Sequence, residues 1–187
     1  MKLFGWIKGR DDGNDRQRKR WRESWAHAVA TEDGGKTPEL KAELETFQLG
    51  PGDDIEVELE MLDALERLAV LQRDVAAGSL PAIDTHHRVV ASDLCHFTAP
   101  ASLPDDPAQA SGRVLFTNLR SIFVGGGGQK PIAWHTVREV IHADRDLMLV
   151  RADGSAAAHF RFNSYSDAVE AAFLARRLKG SKGTRTL

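Results

Sequence analysis

The stretch from Gly112 to Gly128, GRVLFTNLRSIFVGGGG, decides how the rest of the chain is read. Val114 and Phe116 alternate toward one face of a strand, Thr117 to Arg120 supplies a turn, and Ser121 to Val124 returns as a second strand. The glycine run that follows could suggest a phosphate loop. Such a loop needs G-x-x-x-x-G-K-[ST] between a strand and a helix. Here Gln129, Lys130 and Pro131 follow, leading into another strand, so the glycines read as a flexible hairpin connection.

Outward from this hairpin the texture stays the same. Short β-branched runs recur at Pro131 to His135, Val137 to Ala143, Leu147 to Arg151 and Ala157 to Phe162, with Ala152-Asp153-Gly154 as a hairpin turn. Upstream, His86 to Ala91 and Cys95 to Thr98 read as the first strands, followed by the proline-rich surface loop APASLPDDPAQAS. Strands this short and this regular predict a meander that curls into a sandwich or barrel. Ser164 or Ser166 caps a last helix running to about Lys179, with Ala168, Val169, Ala172, Phe173 and Ala175 inward. The tail from Gly180 to Leu187 is expected to be disordered.

The first half of the chain is helical in pattern, so the fold class is α+β. Residues 1–15 read as a flexible arm, 16–80 as a helical region and 84–179 as the β-rich domain. Asp15 is a candidate cap for a helix from Arg16 to Ala30, whose Trp21, Trp25, Ala28 and Val29 share one face. Thr37-Pro38 opens a second helix to about Leu49. A third begins near Asp53, with Glu56 at capping-box spacing, and ends at Gly78. Its stripe of Ile55, Leu59, Leu62, Leu65, Leu68, Ala69, Gln72 and Val75 is short for a coiled-coil seam and is expected to pack on its own domain.

The motif G-x-x-x-x-T-x-x-R-x-I-F, carried by Gly112, Thr117, Arg120, Ile122 and Phe123, resembles the start of GRAM-type and bacterial pleckstrin-homology-like domains. IAWHTVREV (132–140) is similar to their strand ending in an I/V-x-x-V step. HFRFNSYSDAVEAAFLARRL (159–178) is similar to their last strand and closing helix. The resemblance covers about residues 84–179 and implies an antiparallel barrel closed by the C-terminal helix. It implies a scaffold that binds lipids, proteins or copies of itself, with no catalytic residues. The loop that would carry a dense Lys/Arg run for phosphoinositides is acidic here, which argues against lipid at that place.

Of 187 residues, 42% are apolar and 28% charged, ordinary for a folded globular protein. The net charge of -2 hides basic blocks before residue 30 and after Gly112, and an acidic block from Glu32 to Glu66. The preferred reading is that these pair with one another. Cys95 is the only cysteine, which excludes an intrachain disulfide and fits a reducing compartment. The apolar run at the N-terminus is too short for a signal-peptide core, and no stretch approaches the ~20 residues of a spanning helix. The expected location is cytoplasmic, or peripheral at the inner face of the membrane.

His86, His87, Cys95 and His96 carry the atoms of a zinc site, but adjacent doublets on a strand point to opposite faces. They read as ordinary strand residues. The same geometry parts Cys95 from His96, so a base for that thiol would have to come from His135 or His159. There is no nucleophile elbow and no H-E-x-x-H. No enzyme, metal or cofactor is expected.

The function expected is a non-catalytic binding or scaffolding module acting through protein–protein contacts or self-association. Arg120, Lys130, Trp134 and Arg138, near the β-domain loops, are the candidate binding residues. One alternative is an anionic membrane, met by Phe4, Trp6, Ile7 and Lys8 with Arg16 to Arg22 behind them. The other is nucleic acid, held by the basic run RQRKRWR with tryptophan stacking. A short basic run is more often a solvated face.

Overall fold

The computed structural model describes residues 4–47, 54–85, 87–108, 110–126 and 128–180, with side chains from Gly13 onward, Val89 excepted. Among these residues four α-helices and seven strands follow in the order α1 (Phe4–Ala30), α2 (Thr37–Glu45), α3 (Glu56–Ala76), β1 (Cys95–Ser102), β2 (Ser111–Thr117), β3 (Arg120–Gly125), β4 (Gly128–Ala133), β5 (Val137–Ala143), β6 (Asp146–Arg151), β7 (Ala156–Phe162) and α4 (Tyr165–Gly180). The fold is α+β, with helices first, an antiparallel sheet, and a C-terminal helix.

The seven strands form one sheet in the order β4-β3-β2-β1-β7-β6-β5. Each neighbouring pair is antiparallel. The sheet is thus two meanders, β1 to β4 and β5 to β7, joined where Ala101 and Ser102 pair with Phe162 and Arg161. Register shifts at Cys95/Phe97, Val137/Glu139 and Leu149/Val150 add local twist, and the sheet curls until Phe123 of β3 stacks on Phe160 of β7 at 6.3 Å.

The expected closed barrel is corrected. β4 and β5 follow one another in sequence but lie at opposite ends of the sheet and do not pair. Between them runs a 3-10 turn, Trp134–Thr136, and α4 packs against both that turn and β5. The expected strand at His86 to Ala91 is a 3-10 turn at Arg88–Val90, and Ile83 makes a lone bridge to Cys95. His86 itself lies outside the described residues.

α4 is buried on more sides than its stripe predicts. Ala168, Val169, Ala171, Ala172, Phe173, Leu174, Ala175 and Leu178 are all buried, because the sheet packs on one side of the helix and α3 on the other. Its charged residues, Asp167, Glu170, Arg176, Arg177 and Lys179, stay partly exposed between those two neighbours, and its alanines permit close approach. Ser164 caps it, its Oγ accepting the Asp167 N–H at 3.0 Å. Two acidic side chains of α3 complete that terminus: Glu60 accepts the Tyr165 N–H at 2.9 Å and Asp63 the Ser166 hydroxyl at 3.0 Å.

The N-terminal helices share this core. Trp21 and Trp25 are fully buried and donate their indole N–H groups to the carbonyls of Leu40 and Met61, at 2.8 and 2.6 Å. α1 runs back through Asp15 to Phe4 instead of starting at Arg16. The start of α3 uses Asp54, whose Oδ1 accepts the Glu56 N–H, while the expected cap Asp53 lies outside the described residues. Its buried face is Glu58, Met61, Leu62, Ala64, Leu65 and Leu68, whereas Leu59 is exposed. The acidic block pairs with basic residues as its charge pattern predicts. Glu58 binds Arg22, Glu60 binds Arg145, and Glu32 binds both Arg176 and Arg177.

His142, on β5, gives this packing a pH signature. Burial first, and then the positive charge of Arg176, push its imidazole down to about 4, and its buried Nε2 has no hydrogen-bond partner among the described residues. The unfolded chain takes up that proton near the ordinary histidine value of about 6.5. Between the two values the unfolded state binds more protons, so stability rises with pH across this window and is lost as pH falls through it. The full loss from this group is about 3 kcal/mol at most. Urea midpoints of the wild type and His142→Asn, measured from pH 7 to pH 4, should converge or cross as pH falls. A difference that stays constant with pH would show that His142 is not responsible.

Candidate functional site

The open side of the curled sheet holds a groove of about 450 Å³ between β4 and β7. Its floor is apolar and buried: Leu103, Phe123, Ile132 and Phe160. The alanines Ala156, Ala157 and Ala158 line one wall, and their small side chains leave the space that a bulkier strand would fill. The turn after β1, held by the Leu103 N–H on Ala110 O and the Asp106 N–H on Leu103 O, stands at the mouth.

Charges at this mouth are paired across long sequence distances. Lys130 Nζ lies 2.9 Å from Asp106 Oδ2, and that hydrogen bond, with a second from the Ala108 N–H, holds the Asp106 carboxyl below the usual range. His159 Nδ1 sits 3.1 Å from Asp105 Oδ2 and its Nε2 sits 3.4 Å from Asp146 Oδ1. Arg161 grips Asp146 with two hydrogen bonds of 2.8 Å, the main reason that this carboxyl too is depressed. Arg151 donates to Ala156 O at 3.1 Å. The rim is therefore charged but close to neutral in sum.

Of the four residues expected at the site, Lys130 alone lines this groove. Arg120 pairs with the nearly buried Asp93 at 2.9 Å beside the Thr117 hydroxyl. That hydroxyl accepts the N–H groups of Leu119 and Arg120 and lies within reach of Asp93 Oδ2 and Arg120 O. Trp134 is buried at 3% exposure, donates its indole N–H to Thr117 O at 2.7 Å, and meets Phe116 edge to face. Thr117, Arg120 and Trp134 thus fix the β2–β3 turn. Arg138 is exposed on β5, reaching Ala152 O at 3.4 Å, while its own carbonyl accepts Lys179 Nζ. The side chains of Phe4, Trp6, Ile7 and Lys8 lie outside the described residues, though their backbone belongs to α1.

Chemistry at Cys95 and His96 is spent on structure. Burial pushes the Cys95 thiol up, away from thiolate, and it donates to Phe97 O. His96 is buried with Nδ1 2.7 Å from Pro81 O. Among the described residues no group of three or more His, Cys, Asp or Glu side chains is placed to hold a metal ion. Also among them, no helix is long and apolar enough to cross a membrane.

No family model matches the chain, and no curated protein matches it. Among solved structures it is similar to the C-terminal domain of an unknown protein from Leishmania infantum, at 10% identity and a TM-score of 0.41, over 48% of this chain and 88% of that one.

Proposed function

We propose that this protein is a non-catalytic binding or scaffolding module that engages a protein partner through the groove between β4 and β7. The observation that carries the reading is the groove's composition: a buried aromatic and aliphatic floor inside a rim of mutually paired charges. Anchoring contacts in protein interfaces are apolar or aromatic at the centre and polar at the edge. The resemblance to GRAM and pleckstrin-homology-like domains supports a binding role, as do two antiparallel meanders followed by a helix, although this sheet is open.

The test is a photo-crosslinking amino acid placed at Lys130, in the groove, or at Glu66, exposed on α3. Each full-length variant is crosslinked in cells of the source organism and the products are mapped by mass spectrometry. Products from position 130 that are missing from position 66 are expected. Products only from α3, or no products together with a monomeric mass in light scattering, would overturn the reading.

A second reading rests on α1. Arg16, Lys19 and Arg20 lie on its exposed side, at helical spacing, and make no hydrogen bond or ion pair among the described residues. The inner face of α1, Trp21, Trp25, Ala28 and Val29, is already buried in the core, so the contact would be made by these cations with anionic headgroups. On this reading the chain floats with anionic but not neutral vesicles, and Arg16→Glu with Lys19→Glu abolishes flotation. Binding to nucleic acid instead, falling steeply with salt, would assign the same face to phosphate backbones.

A further inference from the structure

The sheet is interrupted beside the groove. β1 accompanies β7 for only two residue pairs, Ala101 with Phe162 and Ser102 with Arg161. Continued in the same register, the ladder would bring Pro104 opposite His159. Proline has no N–H to offer, and here the chain turns away. The other side of β7 continues to pair with β6, through Phe160, His159, Ala158 and Ala156.

Strand alternation says which backbone groups this leaves open. The Phe162 N–H donates to Arg145 O, on the β6 side. Alternate residues of an antiparallel strand turn their N–H and C=O groups to opposite sides. Those of Arg161 therefore face β1, and those of His159 face the vacated track. Among the described residues no hydrogen bond reaches the His159 backbone from that side. The register shift between Leu149 and Val150 places Ala157 as the extra residue of a bulge, which bends β7 along the groove wall.

A free strand edge is ordinarily blunted by lysine, proline or a covering element. β4, the opposite wall, carries Lys130 and Pro131. The Ala156 to Ala158 segment carries neither, and it is followed by the apolar floor of Phe160 and Phe123. Main-chain groups, small side chains and an apolar floor together match an extended backbone with an aliphatic side chain on alternate positions.

We propose that the free edge of β7 around His159, from Ala157 to Phe160, receives an extended segment of a partner protein as an added strand. One aliphatic side chain of that segment lies on Phe123, Ile132 and Phe160, and its backbone pairs with His159. This rests on the reading of the protein as a binding module and specifies the chemistry of its partner. Four residues of β7 offer roughly 13 Å of edge. The paired rim selects against a highly charged segment, because each charge brought in would compete with an existing ion pair.

The experiment uses the full chain as bait for a phage-displayed library of random nine-residue peptides. The tightest selected peptide is then titrated into the 15N-labelled protein. Enriched sequences should alternate β-branched or aliphatic with polar residues and lack proline at the centre. The His159 amide should shift, and backbone contacts between peptide and β7 should appear. Ala158→Trp, which fills the groove, should weaken binding at least tenfold, while Arg138→Ala, exposed on β5, should not. If Ala158→Trp does not fold, the amide shifts and inter-strand contacts alone decide. Helical binding, binding elsewhere, or failure to select any peptide would overturn strand addition. The binding-module reading is judged separately by crosslinking at Lys130, so the two can fail independently.

Discussion

Gly112→Ala is expected to lower stability by roughly 3 kcal/mol and the melting temperature by about 10 °C. Gly112 faces Gly125 across the β2–β3 pair. A Cβ on Gly112 would stand 2.1 Å from Val124 O and 2.8 Å from Gly125 Cα. Both are backbone atoms of a paired strand, so no rotamer change can relieve the contact. The strands would have to part, and neighbouring Val114 and Phe123, both in the core, would move with them. Gly126→Ala is the control, since a Cβ there meets nothing within 4 Å. It should change stability by no more than about 0.5 kcal/mol. Thermal melts of the two variants settle the matter, and equal melting temperatures would show that the strands yield more easily than their pairing suggests.

Arg22→Ala should cost about 3 kcal/mol. Glu58 is fully buried between α1 and α3, and Arg22 supplies both hydrogen bonds to its Oε1, at 2.9 and 2.6 Å. Its Oε2 is buried with no hydrogen-bond partner among the described residues, so Arg22 is the compensation seen there. Arg22 itself is 48% exposed, so the pair contributes little as an attraction through solvent, and the cost lies in abandoning a buried charge. Arg22→Ala combined with Glu58→Leu should therefore recover most of the loss, because the stranded group is gone. A double-mutant cycle by urea denaturation checks this. Simple addition of the two single losses would mean that Glu58 is compensated by something other than Arg22.

Glu58 also shows where the sequence could be read and where it could not. The α3 stripe was legible from Leu62, Leu65 and Leu68, all buried. Leu59 belongs to the same periodic stripe yet is exposed while Glu58 points inward, and no local signal says that a glutamate can lie inside. It can because Arg22 stands opposite, 36 residues earlier in sequence. The start of α1 is hidden in the sequence for a related reason. Gly5, Gly9 and Gly13 and the run DDGND are poor helix formers, so local propensity places the start at Arg16, whereas the helix runs from Phe4.

The β-rich half was plainer. The hairpin around Thr117 to Arg120 and the turn at Gly154, whose φ is +82°, follow from local chemistry. Residues that serve local packing and residues that line a groove look alike in sequence, which is why Trp134 and Arg120 stood beside Lys130 as candidates. What joins His159 to Asp105, or Lys130 to Asp106, is the curl of the sheet, and no spacing in the chain encodes it. Pro104 was visible all along as a turn residue. Its effect on β7 emerges only with the register of β1.

The narrowness of the β1–β7 joint also bears on how the molecule assembles. Every other pairing in the sheet links consecutive strands, and such hairpins close in microseconds from local contacts. The joint brings together residues from the two ends of the β-rich half, so it must await the closure of the longest loop in the sheet, with two residue pairs as its hydrogen-bonded return. The two meanders are therefore expected to form before they meet, and α4 packs across β1, β5, β6 and β7 where they join. In the reverse direction this joint is the cheapest part of the sheet to open.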